Sequence, residues 1–172
     1  MLGRPFRTRG RPWDEDMDTY PSQPSWHLKI PPPIWGMAML ILAFIVDRFF
    51  GTPFVFRSTP LAVVVGVAGL LLSGWGERTF AWEGTDILPA SPTNKKLVTR
   101  GPFRYTRNPM YSGLVLMALG FALYFGTVAF YILPVLLFLL CNFSFIPFEE
   151  AKMQRQFGDQ YTDYLRRVRR WV

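Results

Sequence analysis

Two stretches of this 172-residue chain hold side chains that could do chemistry. The first runs Leu97-Val98-Thr99-Arg100-Gly101-Pro102-Phe103-Arg104-Tyr105-Thr106-Arg107-Asn108-Pro109-Met110-Tyr111-Ser112-Gly113. It gathers three arginines and three aromatic rings, contains no acidic residue, and passes directly into an apolar run at Met110. Asn108 is placed to cap that helix by accepting a backbone N–H bond, and Pro109 fits the first helical position. The second stretch is Glu149-Glu150, a carboxylate pair where another apolar run ends. Donors, rings and cations on one wall with carboxylates on the other suit a zwitterionic or nucleoside-bearing ligand. Each stretch also has a plainer reading. A basic loop beside a membrane anchors it to the surface, and two carboxylates at the headgroup level are simply solvated.

Other chemistries lack their residues. No zinc-ligand spacing, P-loop, glycine-rich dinucleotide turn or Ser/His pair occurs. His27 is the lone histidine, sits beside Trp26, and reads as a headgroup contact. Cys141 is the lone cysteine, lies in an apolar block, and reads as a packing residue that excludes an intramolecular disulfide.

The elements that position these stretches follow from hydropathy. Half the residues are apolar and they cluster in blocks, which marks a membrane protein. Residues 1–30 form a cytoplasmic N-terminal arm with basic and acidic clusters. Residues 31–83 form a first transmembrane hairpin: Ile34 to Val46, extending toward Phe50, then Pro60 to about Trp75. Asp47 and Arg48 can pair at the end of the first span, and Gly51-Thr52-Pro53 is turn chemistry. Ala62, Gly66, Gly69 and Ser73 share one helix face, so the second span is predicted to pack closely on the first. Phe80 and Trp82 place the end of the second span along the interface, and Thr85 to Pro92 reads as loop. Residues 84–172 hold the central loop, a second hairpin and a C-terminal amphipathic segment. Its spans are Pro109 to about Phe125 and Val128 to about Phe148, with Pro134 expected to kink the latter. Met153, Phe157, Tyr161, Tyr164, Val168 and Trp171 recur with helical spacing, interrupted near Gly158, with Asp159 capping the second piece.

The fold class is therefore an all-α membrane protein with about four transmembrane helices in two hairpins plus a cytoplasmic amphipathic C-terminal helix. The net charge of +7 is concentrated in regions flanking the spans, which favours an anionic membrane surface over nucleic acid as partner. All but Arg48 and Arg57 of the 19 basic residues lie in the two termini and the central loop. The positive-inside rule puts those regions, and any active site among them, in the cytoplasm. No pattern sets the oligomeric state.

Leu97-Val98-Thr99-x-Gly101-Pro102-Phe103, then Arg107-Asn108-Pro109-Met110-Tyr111-x-Gly113, a two-helix hairpin, Glu149-Glu150, and Phe157-Gly158-x-x-Tyr161-x-x-Tyr164 together resemble the integral-membrane methyltransferases. These are the isoprenylcysteine carboxyl methyltransferase and phospholipid methyltransferase group, and the likeness covers about residues 84–170. It implies an enzyme using S-adenosylmethionine on a lipophilic or lipid-headgroup substrate that enters from the bilayer. By that likeness the cofactor wall comprises Lys95, Lys96, Leu97, Val98, Phe103, Arg107, Asn108, Pro109, Met110 and Tyr111. Gly101 and Pro102 shape the loop, and Glu149 reaches the cofactor from the opposite side. Glu150 and Tyr111 are the nearest groups for proton transfer, and Phe157, Tyr161 and Tyr164 act as a lid. The pattern departs from the family at three positions. Asn108 stands where His is usual, which removes a titrating base. Phe103 stands for Tyr. Phe145 stands where prenylcysteine methylators carry an Arg for the substrate carboxylate, which favours an amine headgroup or a neutral lipid. Two other functions fit less of the pattern: a non-catalytic membrane scaffold of the same fold, and a nicotinamide-dependent membrane reductase.

Overall fold

The computed structural model describes residues 25–84 and 96–171. Most of the N-terminal arm, the loop from Thr85 to Pro92, and Lys95 lie outside the described residues. Prolines start the first helix, α1 (Pro32–Phe50), and Gly51 ends it in a left-handed conformation, its N–H bonded to the Asp47 carbonyl at 3.0 Å. Helix α2 (Thr59–Glu83) continues eight residues beyond the expected Trp75 terminus, carrying Phe80 and Trp82 as helix. Helix α3 spans Pro109–Phe125 and α4 spans Val128–Leu140. A wide π-helical turn, Cys141–Phe145, joins α4 to α5 (Ile146–Phe157) without interrupting the rod. Gly158 then breaks the chain at φ 51° and ψ −123°, and α6 (Asp159–Arg167) follows. That conformation suits only glycine, so Gly158 itself occupies the cap position and Asp159 is the first helical residue.

Three rods, Pro32–Phe50, Thr59–Glu83 and Val128–Phe157, are long and apolar enough to cross a membrane. The 17-residue α3 meets the lower end of the roughly 17–25 residues a span requires. The protein is all-α and integral to a membrane. The 30-residue rod α4–α5 is about 45 Å long, against about 30 Å of hydrocarbon. Its final turns, where Glu149 and Glu150 sit, therefore project beyond the apolar layer when the rod starts at the opposite face.

The packing overturns one expectation. The small-residue face of α2 does not meet α1; it meets α3 along the most extensive helix contact in the fold. A Cβ at Gly69 would lie 2.6 Å from the Gly113 carbonyl oxygen, and one at Gly120 would lie 2.9 Å from Gly66 Cα. Ser73 Oγ donates to the Met110 carbonyl across the same seam at 3.1 Å. A small stripe needs a small partner, and α3 supplies Gly113 and Gly120 two turns apart. Helix α1 lies instead against α4 and α3, with Gly36 beside the Leu114 and Leu137 side chains. Leu28, Leu133, Leu137, Cys141, Phe145 and Ile146 form the buried core around Tyr111.

At the end away from Glu149 the connections are pinned to each other. Val55 N–H donates to the Gly126 carbonyl at 2.8 Å, and Val128 N–H to the Pro53 carbonyl at 3.0 Å. Asp47 accepts from the Thr52 hydroxyl, which replaces the expected pairing with Arg48. The shorter reach and fixed geometry of the turn hydroxyl favour it over a long arginine side chain.

Candidate functional site

The central loop is seated on α2 by its glycine. Gly101 has φ 58°, and a Cβ there would lie 2.8 Å from Thr79 Oγ1 and 3.2 Å from Trp75 Nε1. The short helical turn Gly101–Arg104 then buries Phe103 edge-on against Phe80, with centroids 4.9 Å apart. This close seating turns Val98 and Phe103 inward and leaves Arg104 and Tyr105 exposed. Ion pairs from Lys96 and, at 4.0 Å, Arg100 to Glu83 fix the loop to the end of α2.

Asn108 stands at the N-cap of α3, and its carbonyl accepts the Ser112 N–H at 3.0 Å. Its side chain does not cap. The Asn108 amide nitrogen donates to the Arg170 carbonyl at 3.0 Å, and Thr106 Oγ1 donates to that same oxygen at 3.0 Å. Arg107 N–H donates to the Arg169 carbonyl at 2.8 Å. The residues after α6 thus lie along the loop as a strap, and the amide satisfies a buried carbonyl there. Trp171 ends the strap, with Nε1 donating to Asn142 Oδ1 at 3.0 Å and its ring 4.7 Å from that of Phe138.

The two carboxylates have different partners. Tyr111 donates its hydroxyl to Glu149 Oε1 at 2.7 Å, and the Tyr111 ring lies 6.3 Å from that of Phe145. Glu150 is held by two guanidinium groups. Arg107 Nη2 is 2.9 Å from Oε1, and Arg170 Nη2 bonds Oε2. Arg107 also donates from Nη1 to the Leu165 carbonyl at 3.2 Å. Glu150 therefore braces the loop, α5 and the strap together. Both Glu150 oxygens are thereby engaged by guanidinium groups, an arrangement that ties elements together.

These parts enclose one cavity of about 80 Å³. Lys96, Leu97, Val98, Phe103, Arg107, Asn108, Pro109, Met110, Tyr111, Glu149 and Glu150, all sequence candidates, line it. Gly101 does not reach it and acts by seating the loop on α2. Tyr161 and Tyr164, expected in the lid, also line it, whereas Phe157 does not. Phe80 and Met153 complete the lining and were missed as site residues. Met153 lies one turn beyond Glu149 on α5, so helical spacing from the carboxylate was the signal for it. No signal of that kind reached Phe80, because its ring is brought in only by the seating of Phe103. Tyr164 donates to the Phe103 carbonyl at 2.7 Å, tying α6 to the loop. Burial raises the pKa of both Tyr161 and Tyr164, so their hydroxyls stay protonated, and that of Tyr164 serves as a donor.

The donor set suits S-adenosylmethionine. Arg107 Nε is buried and without an acceptor among the described residues, a place for a carboxylate oxygen. The Glu149 carboxylate offers a counter-charge, and Leu97, Val98, Phe103, Met110 and Met153 offer apolar surface. Among the described residues no group of His, Cys, Asp and Glu could hold a metal ion.

A largely apolar cavity carrying a few charged and hydrogen-bonding groups, walled by the central loop, the ends of apolar helices and a tied-down C-terminal segment, is the candidate site of an integral-membrane protein. The phospholipid methyltransferase family profile matches residues 58–160, more than half the chain, and the chain belongs to that family of membrane methyltransferases. An uncharacterized protein of Haemophilus influenzae (strain ATCC 51907 / DSM 11121 / KW20 / Rd) is 33% identical over 63 residues, which is 37% of this chain and 100% of that protein. No solved structure matches.

Proposed function

We propose that the protein is an S-adenosylmethionine-dependent methyltransferase that acts at the cytoplasmic face on a lipophilic substrate or lipid headgroup. One observation carries the reading: the Tyr111–Glu149 bond brings the carboxylate to the same cavity as Leu97, Val98, Phe103 and Met110. The cofactor supplies an activated methyl group on a sulfonium. Arg107 Nε and Glu149 would meet its charged groups, and the apolar wall would hold the nucleoside.

The chain's own task is alignment and exclusion of water. Tyr161 and Tyr164 on α6, held by Tyr164 to the Phe103 carbonyl, cover the cavity. Tyr111 fixes Glu149 through Oε1, and the carboxylate so oriented would accept a proton or a hydrogen bond from an ammonium headgroup. Phe145 contributes no cation, so the site suits an amine or neutral acceptor better than a carboxylate. At about 80 Å³ the cavity is below the roughly 300–1,000 Å³ of ligand sites, so binding requires the lid or strap to shift. The family assignment favours methyl transfer over nicotinamide-dependent reduction.

Calorimetric titration of the detergent-purified protein with S-adenosylhomocysteine tests the reading, with Glu149→Ala alongside. Micromolar binding by the wild type, lost in the variant, is the expected result. Absence of binding by a folded wild type would turn the assignment to a non-catalytic scaffold of the same fold.

A further inference from the structure

Tyr164 also borders a second cavity, of about 550 Å³, that the proposed reaction does not use. Thr99 and Arg104 of the central loop form one wall, and Gln160, Asp163 and Arg167 of α6 form the other. Two segments far apart in sequence thus each place an arginine on the same concavity. Both arginines are exposed, and among the described residues neither has an acidic partner. Asp163 is the one carboxylate on the wall, and Arg166 stands 3.9 Å from it. The Tyr164 hydroxyl is committed to the Phe103 carbonyl, so that residue contributes mainly its ring. Thr99 and Gln160 bring neutral hydrogen-bonding groups.

This chemistry selects an anion with several acceptor oxygens. Guanidinium groups present planar pairs of donors that match phosphate oxygens, and a concave site with unneutralised cations concentrates positive potential. The position fits as well. Arg104 lies five residues before the start of the apolar helix α3, and α6 follows the end of the apolar rod α4–α5. The cleft therefore stands at headgroup depth.

We propose that this cleft binds a phosphate group between Arg104 and Arg167, carried by a phospholipid headgroup or by a small phosphate ester. The site does not depend on methyl transfer and would hold its ligand whether or not the first cavity binds a cofactor.

The test uses the full chain in detergent, titrated with dihexanoyl phosphatidylglycerol, glycerol phosphate and inorganic phosphate. Arg104→Gln/Arg167→Gln removes the two cleft cations, and Arg78→Gln/Arg169→Gln removes the same charge from other exposed positions. Saturable binding should weaken roughly tenfold in the cleft variant and change less than about twofold in the control. Binding of the lipid alone identifies a headgroup as the source, and binding of glycerol phosphate as well identifies the small ester. Arg104→Lys/Arg167→Lys keeps the charge but loses the planar fork, so it should fall between wild type and the Gln pair, and it carries the test if the Gln pair does not fold. Equal weakening in cleft and control variants, or no saturable binding of any probe, would overturn the proposal.

Discussion

Tyr111 on the first turn of α3 donates its hydroxyl to Glu149 on the first turn of α5 at 2.7 Å, bridging 38 residues of chain at the edge of the apolar layer. The bond sets the direction of the carboxylate toward the loop that lines the cavity. Glu149→Gln keeps the shape and removes the charge, so affinity for S-adenosylhomocysteine should fall roughly tenfold. Tyr111→Phe keeps the charge and releases its orientation, so the loss should be roughly threefold. Calorimetry on both variants checks this order; a larger effect for Tyr111→Phe would mean that the hydroxyl itself touches the ligand.

The brace at Glu150 predicts a different phenotype. Glu150→Gln leaves Arg107, which is 13% exposed, facing a neutral amide. Thermal unfolding in detergent should register a loss of about 2 kcal/mol. Arg170 is more exposed, so Arg170→Gln should cost less than about 1 kcal/mol. Reversal of that order would mean that the strap, and not Arg107, is the main partner.

Asn108 offers a test of the strap. Asn108→Ala removes the amide donor to the Arg170 carbonyl and should cost about 1 kcal/mol. Asn108→Asp sets a carboxylate against that carbonyl and should cost more. Hydrogen exchange measured by mass spectrometry should speed up at residues 168–171 in both variants. Unchanged exchange there would show that the contacts from Thr106, the Arg107 N–H, Glu150 and Asn142 hold the strap without the amide.

The α2–α3 seam distinguishes glycines by position. Gly69→Leu drives a side chain into the α3 backbone and should destabilise by about 3 kcal/mol or prevent folding. At Gly74 a Cβ meets nothing within 4 Å, so Gly74→Ala should be neutral or slightly stabilising through its helix propensity. Detergent thermal melts of the two variants check the contrast, and equal behaviour would contradict the seam.

The all-α class, the positions of the apolar rods and most of the cavity lining are legible in the residues alone. These depend on local properties: runs of apolar residues, prolines at helix starts, and a motif whose residues are neighbours in the chain, from Lys96 to Tyr111. The rest depends on which elements pack together. The stripe Ala62, Gly66, Gly69 and Ser73 announced a close-packing face but not its mate, because small residues specify distance and not partner. Asn108 was legible as a helix start, but its side chain serves a carbonyl 62 residues away that no local pattern could disclose. Glu149 and Glu150 are adjacent, chemically identical and both in the cavity lining, and only the groups that the folded chain set against them made Glu150 the structural brace as well. Adjacent residues on a helix point about 100° apart. One therefore meets Tyr111 and the other meets Arg107 and Arg170, a difference fixed by packing and invisible in the residue types.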